Sequence, residues 1–436
     1  LTLSVLEGQL ATPAEVTRAV RAIRLDGVGA ALGASFMRTA QTWFPARRQE
    51  PDVRVLSGAV LVDLDHTART GLATGIQRVA RETVRRWSRD HDVVLVGWQS
   101  EYRQLRRLSR AESTMALTGD VVESDEAAEQ PDVIVPWRST YLLPELSVEP
   151  ARNDRISGIA QFACGRTGVI GFDCVPITTG ETVAMGISEA FANNLAAVRH
   201  TDRLSAISHA AATEYRGWRT MLASAGHSGP EISAELLPAE PPTHTDADLA
   251  AARADFTIPG MPMVLCVGTH EPRKNHLALL HAAELLWRDG LRFNLVLLGG
   301  RSWNDDHFRR ALDEARGRNR PVDTPLAMSD GMLAAAYRLA RCTVFPSLNE
   351  GFGLPVAESL ACGTPVITSN YGSMAEIAAD GGALTVDPRN DHSIADALRR
   401  LLTDDDEHAR LAGEAAGRPR RSWDDYARDV WDALVV

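Results

Sequence analysis

The feature that most constrains this chain is an alternation of short apolar strand-like runs with amphipathic helices, which occurs twice around a Pro- and Gly-rich break. The first series opens with VRVLSGAVLVDLD, read as a buried strand, followed by a Gly-bearing turn (TARTGLATG) and the helix IQRVARETVRRWSRD. In that helix Ile76, Val79, Thr83 and Trp87 recur at three- and four-residue spacing with arginines between them, so one face can pack while the other meets water. DVVLVGW, PDVIVP, GVIGFDCVP and RLSAIS read as later strands. Between 226 and 246 the pattern stops, and Pro, Gly and small polar residues predict an interdomain linker. It resumes with PMVLCVG, a helix over 277–288 that ends before Gly290, then NLVLLGG, CTVFPS, PVITS and GALTV. Strands separated by helices need crossovers, which predicts parallel sheets. The expected class is therefore α/β: two doubly wound, Rossmann-like domains facing each other across a cleft. Residues 1–50 read as a helical N-terminal extension.

The 436 residues suffice for two cores, and 44% hydrophobic with 24% charged residues describes a globular chain. A net charge of −11 argues against a nucleic-acid binder, which needs a basic face. No apolar run approaches the roughly 18–20 residues of a membrane span, and the first residues lack the basic and apolar regions of a signal peptide. Five cysteines without a CxxC pair suit a reducing compartment, so a cytoplasmic location is expected. Cys266, Cys342 and Cys362 lie in or beside apolar runs, where cysteine acts as a small buried hydrophobe. Of the 46 basic residues all but one are arginine, and the exception is Lys274. Where nearly every interchangeable lysine has become arginine, a survivor points to a site that needs a compact ammonium.

Two segments carry chemistry. In EGFGLPVAESLACGTPVITS (350–369), Pro355 suits the first turn of a short helix and Gly363 the position just past its end. The preceding Glu350-Gly351-Phe352-Gly353-Leu354 puts glycines at a helix N-terminus, where free N–H groups and the helix dipole favour an anion. Glu350 precedes that helix and Glu358 lies inside it, so the two acids reach different parts of one ligand. In VLCVGTHEPRKNH (264–276) a strand ends at Gly268 and its loop delivers Arg273 and Lys274 to the carboxyl edge of the sheet. Two cations facing a helix N-terminus suit a diphosphate.

A strand followed by GTHEPRKN, together with SLNEGFGLPVAESLACGTPVITSN, resembles glycosyltransferase family 4, the retaining enzymes of the GT-B fold. The likeness covers most of 262–435, including SDGMLAAAYRLARCTVFPS, NYGSMAEIAADGGALTVDP and SWDDYARDVWDAL. It implies a GT-B architecture with an acceptor domain over 51–240, a nucleotide-sugar donor domain over 241–415, and a helix over 416–436 that crosses back to the first domain. It further implies that Arg273 and Lys274 neutralise the leaving diphosphate and that Glu350 binds the transferred sugar near its reacting carbon. The backbone of Gly351, Phe352, Gly353 and Leu354 would support sugar and phosphate, and Glu358 would hold the ribose hydroxyls. Gly268, Thr368, Ser369 and Asn370 would lie near the donor by position. More loosely, TGLATGIQRVARE resembles the family's glycine loop, placing Gly71 and Gly75 near the donor. GFDCVPI makes Asp173 a contact for sugar or acceptor. Phe172 stands where many relatives carry His, a departure that bears on any acid–base role there.

The chemistry expected is front-face retaining transfer of a hexose to an acceptor hydroxyl, with the donor phosphate helping to accept the proton and no metal or cofactor required. The resemblance favours surface-polysaccharide synthesis with GDP-mannose as donor, ahead of UDP- or dTDP-sugars. The acceptor would be a saccharide, a lipid-linked glycan or a small molecule. Three other readings stand beside this one. A degenerate lobe pair could act as a nucleotide-sugar or glycan sensor. VLVDLDHT (60–67) fits the DxDxT opening of haloacid-dehalogenase-type phosphatases, with Asp63 as nucleophile and Asp65 as acid, and Asp63-x-Asp65 also looks like a metal-binding DxD. The twelve histidines show no metal-ligand spacing. EYRQLRRLSRAES reads as a solvated helix face, its rival being a patch for peripheral contact with an anionic inner membrane face. Ser373 and Glu376 have capping-box spacing and read as structural.

Overall fold

A computed structural model describes the chain apart from residues 44–51, 72–73, 123–131, 241–242, 301, 304 and 327, and apart from the side chains of 34–43 and 100. Two sheets organise it. The first contains β1 (Val53–Leu56), β2 (Val60–Asp63), β3 (Val93–Trp98), β4 (Leu105–Arg107), β5 (Val133–Pro136), β6 (Thr140–Leu143), β7 (Arg166–Gly171), β8 (Arg203–Ala206) and β9 (Glu231–Ala234). Their order is β1-β5-β4-β3-β2-β6-β7-β8-β9. All pairings are parallel except those of β4 with β3 and β5.

Three readings are corrected here. VRVLSGAVLVD is two strands, β1 at the sheet edge and β2 near its centre, because Gly58 turns the chain with φ 72°. Leu105–Arg107 is a strand rather than part of a solvated helix, and the helix Arg110–Thr118 begins only after Ser109 caps it with Glu112. EISA, inside the presumed linker, is β9, which pairs with β8.

The second sheet comprises β10 (Met263–Val267), β11 (Asn294–Leu298), β12 (Val322–Asp323), β13 (Cys342–Phe345), β14 (Val366–Ser369) and β15 (Ala383–Val386), all parallel, in the order β12-β11-β10-β13-β14-β15. Winding starts at β10, runs outward through β11 and β12, then returns to β13 and runs the other way. This is the doubly wound order with its switch point between β10 and β13.

The lobes are in contact. One apolar cluster joins Leu64, Phe172 and Ile207 of the first lobe to Phe352, Val356 and Met374 of the second. The C-terminal helix Trp423–Val435 packs on the first lobe, against the helix Gly75–Asp90 and against β7 and β8. Trp87 Nε1 donates to the Ala427 carbonyl over 2.8 Å. Gly168 lies so near Leu434 that a Cβ there would sit 3.0 Å from that side chain. No helix among the described residues is long and apolar enough to cross a membrane. All five cysteines are unpaired; Cys164 is exposed, Cys362 half-buried, and Cys174, Cys266 and Cys342 buried.

Candidate functional site

At a switch point the loops leaving two adjacent strands diverge, and a crevice opens beyond their carboxyl ends. The loops after β10 and β13 are those that carry Arg273, Lys274 and Glu350. A Cβ on Gly299, after β11, would lie 1.9 Å from the Gly268 carbonyl oxygen, so these two loops meet at a separation only glycine permits. Arg273 and Lys274 occupy a 3-10 turn, Pro272–Lys274. Asn275 follows in the left-handed region (φ 60°), and its Nδ2 donates to the carbonyls of Pro346 (3.2 Å) and Pro388 (2.7 Å). One side chain thus fastens the cationic loop to the loop that bears Glu350.

The two cations meet Glu350 directly. Lys274 Nζ donates to Glu350 Oε1 over 2.7 Å, and Arg273 Nη1 engages Oε2. Arg273 also donates to the Asn349 carbonyl (3.0 Å) and to Glu271 (2.6 Å). Burial alone would raise the Glu350 carboxyl, but Arg273 and Lys274 outweigh it and hold it down at about 2. Burial pushes nearby Asp173 up to about 6, against the attraction of Arg273 and the Val175 N–H, with Glu214 and Glu350 adding to the rise. The site therefore pairs a firmly ionised carboxylate with one that titrates near neutrality.

Beyond Glu350 the chain turns through Gly353 (φ 105°) into the helix Leu354–Ala361, with Pro355 in its first turn and Gly363 (φ 78°) just past its end. A Cβ at Gly351 would sit 2.5 Å from the Phe172 carbonyl oxygen and 3.1 Å from Asp173, so this loop touches the opposite lobe through bare backbone. Ser208 donates to the Gly351 carbonyl over 2.6 Å. Phe352 is buried in the interlobe cluster and Leu354 packs on it. Gly75 begins the helix Gly75–Asp90, where a Cβ would lie 3.6 Å from Leu354. Gly71 is exposed.

Glu358 is buried, accepts from Tyr337 (3.0 Å), and is bridged across the lobes by Arg78. Burial would lower the Arg78 guanidinium, but Glu358 more than offsets it, so it is raised. Neither Arg78 nor Tyr337 was singled out from sequence, because one arginine among 45 carries no signal.

Thr368 and Ser369 are fully buried, and their hydroxyls donate to the carbonyls of Phe345 (3.0 Å) and Ser347 (2.6 Å), which ties β14 to β13 and the loop beyond it. Asn370 is exposed. Ser373 and Glu376 form no capping box: Ser373 donates to the Glu350 carbonyl (2.8 Å), and Glu376 accepts from the N–H groups of His209 (3.1 Å) and Ala210 (3.0 Å) on the other lobe. Asp63 is wholly buried, with its oxygens taken by Arg152, Trp98, Tyr141 and the Asp65 N–H. That removes the phosphatase and DxD readings, which need an open carboxylate.

Residues 251–418 match the family model described as "Glycosyl transferases group 1". The chain is 28% identical over 337 residues to the serotype-specific mannosyltransferase WbdA of Escherichia coli, an alignment covering 73% of this chain and 40% of that protein. To the O-antigen chain mannosyltransferase B of the same organism it is 39% identical over 143 residues, 32% of this chain and 37% of the relative. The chain thus matches about two fifths of the length of these curated relatives. Among solved structures, Anabaena HepE in complex with UDP and glucose superposes with a TM-score of 0.62 at 12% identity, covering 86% of this chain and 99% of that one. The fold is GT-B, and the residues that match the group 1 model lie in its second lobe.

Proposed function

We propose that this chain is a retaining glycosyltransferase that moves a hexose from a nucleoside diphosphate sugar to a hydroxyl of a saccharide, glycolipid or small molecule. The observation that carries the reading is the Arg273–Lys274–Glu350 cluster at the switch point, beside the N-terminus of the helix Leu354–Ala361. A departing diphosphate gains negative charge, and a fixed ammonium, a fixed guanidinium and a helix N-terminus stabilise it without reorganisation. Neutralisation by side chains makes a metal unnecessary in this reading. Glu350, ionised at neutral pH, would orient the sugar, and the carbohydrate bond would break toward an oxocarbenium-like state as the diphosphate leaves. Glu358 would take the ribose hydroxyls. Asp173, beside Gly351, would contact the sugar or the incoming acceptor. The E. coli relatives are named as mannosyltransferases, which supports mannose as the first sugar to test and GDP as the first nucleotide, with UDP and dTDP behind.

A thermal-shift series with GDP, UDP, dTDP and ADP and their common sugars tests this. A ligand at a hundred times its dissociation constant stabilises the fold by about 2.7 kcal/mol. One nucleotide should shift the transition in wild type and not in Lys274→Ala, and EDTA should leave transfer unchanged. Silence across all of them would sink the reading. Binding without slow hydrolysis of the donor would favour the sensor instead.

A further inference from the structure

The carboxylate expected to hold the ribose is closed in this structure. Glu358 lies within the helix Leu354–Ala361, and its side chain is 7% exposed. Its two oxygens are taken from opposite sides. Tyr337 donates to Oε2 over 3.0 Å from within the second lobe, and Arg78 binds Oε1 from the first. A ribose presents two adjacent hydroxyls, which a carboxylate accepts as a pair, one on each oxygen. One of the present partners must therefore leave before a ribose can dock.

The two partners differ in their freedom to do so. Tyr337 is fully buried in the helix Asp330–Leu339, and its own carbonyl is held by the Thr364 hydroxyl (2.7 Å), so it cannot swing out without opening the core. Arg78 is 37% exposed and stands in the first turn of the helix Gly75–Asp90. It reaches the other lobe on a flexible stem, with its guanidinium carbon 6.0 Å from the centre of the Trp423 ring. Once displaced it is not stranded, because Glu82, one turn along the same helix, and the exposed Asp330 of the second lobe both attract it. Nor do the lobes fall apart. Ser208 at the Gly351 carbonyl and Glu376 at the N–H groups of His209 and Ala210 join them without Glu358.

We propose that Arg78 and the ribose of the donor compete for Glu358, which makes this ion pair a latch between the lobes that the nucleotide opens as it binds. It rests on the reading of Glu358 as the ribose carboxylate and extends that reading to a residue of the first lobe. With its arginine in contact with water, the pair is weak enough to be exchanged for two hydroxyl bonds. Each donor must still break it, so the apparent affinity is reduced by the fraction of molecules in which the latch is open. Arg78 thereby sharpens the choice of sugar. A nucleotide without ribose hydroxyls gains nothing at Glu358 and leaves the latch shut.

Calorimetric titration of the full chain tests this with GDP, UDP, dTDP and ADP and, for the one that binds, its analogue lacking the 2′ and 3′ hydroxyls. Arg78→Met keeps a stem over Trp423 and removes the charge. It should bind the parent nucleotide about tenfold more tightly than wild type and the analogue no more tightly. Arg78→Gln, a milder change, should move in the same direction by a smaller factor, and Arg78→Lys, which keeps a cation facing Glu358, should stay near wild type. Glu358→Gln should bind nucleotide and analogue alike. Weaker or unchanged binding of the parent nucleotide to Arg78→Met and Arg78→Gln, or an equal gain for the analogue, would overturn the latch and leave the nucleotide site standing. A preference for the hydroxyls that survived Glu358→Gln would remove the ribose from Glu358. Silence of wild type and every variant toward all four nucleotides would sink the donor site itself, and the latch with it.

Discussion

Two ion clusters occupy comparable places in the two lobes, each at the carboxyl end of a central strand, and they do opposite things. Beyond β2, Arg152 donates to Asp63 (2.9 Å) and Glu145 (2.6 Å), and Glu145 also accepts from the N–H groups of His66 and Thr67 (both 2.8 Å). The side chains of Asp63 and Arg152 are 0% exposed and that of Glu145 is 1% exposed. Beyond β10 and β13, Glu350, Lys274 and Arg273 form a similar acid–base group, but their side chains keep 9%, 13% and 17% exposure. The first cluster satisfies its acids from within and is closed to any ligand. The second keeps its two cations partly exposed beside a helix N-terminus, paired with Glu350. Residue type did not separate them; exposure and the partners already taken did.

The largest test of this contrast falls on the sealed cluster. Arg152→Ala should strand two buried carboxylates and cost about 3–5 kcal/mol of stability, read by thermal unfolding. Any protein that remains folded should still bind nucleotide. A stable Arg152→Ala protein that had lost only nucleotide binding would reverse the assignment of the two clusters.

The open cluster should respond in activity as well as in stability. Lys274→Ala and Glu350→Ala should each lower transfer a hundredfold or more, on the order of 3 kcal/mol in the barrier, with the fold retained. Near-wild-type rates in both would break the site. Glu350 also predicts a pH signature. Its folded pKa, about 2, lies below the ordinary carboxyl value of 4.5, so its contribution to stability is complete above 4.5 and fades as pH falls toward 2. The stability gap between wild type and Glu350→Gln should be constant above pH 4.5 and shrink by about 3 kcal/mol on acidification. A gap that widened toward low pH would contradict the ion pairing.

The same contrast explains what the sequence made legible. Pro355 and Gly363 bracket a helix whose geometry is local, so its position could be read directly. Lys274 stood out because no other lysine competes with it. Arg78, Ser208 and Asn275 escaped because their partners lie far along the chain: Glu358, the Gly351 carbonyl, and the carbonyls of Pro346 and Pro388. Asp63-x-Asp65 misled for the same reason, since only the fold supplies the Arg152, Tyr141 and Trp98 that close it. Ser373 and Glu376 have capping-box spacing, yet tertiary partners outcompeted the local one. Leu105–Arg107 is too short for its period to distinguish strand from helix, and pairing with β3 decided it.

The smallest expected effect tests whether the open cluster depends on the lobes being together. Gly351 touches Phe172 and Asp173 with no side chain between, and a Cβ there would meet a backbone oxygen at 2.5 Å rather than a side-chain tip that can swing aside. Gly351→Ala should therefore cost about 1–3 kcal/mol, the usual penalty of overpacking. The cost should fall on the joining of the lobes, because Glu350, Arg273 and Lys274 all belong to the second lobe. Nucleotide binding should then change little while transfer falls about tenfold or more, as Asp173 is pushed away from the Glu350 loop. Equal losses in both would mean that the nucleotide, too, is held by contacts from both lobes, and Arg78 at Glu358 would be the first place to look.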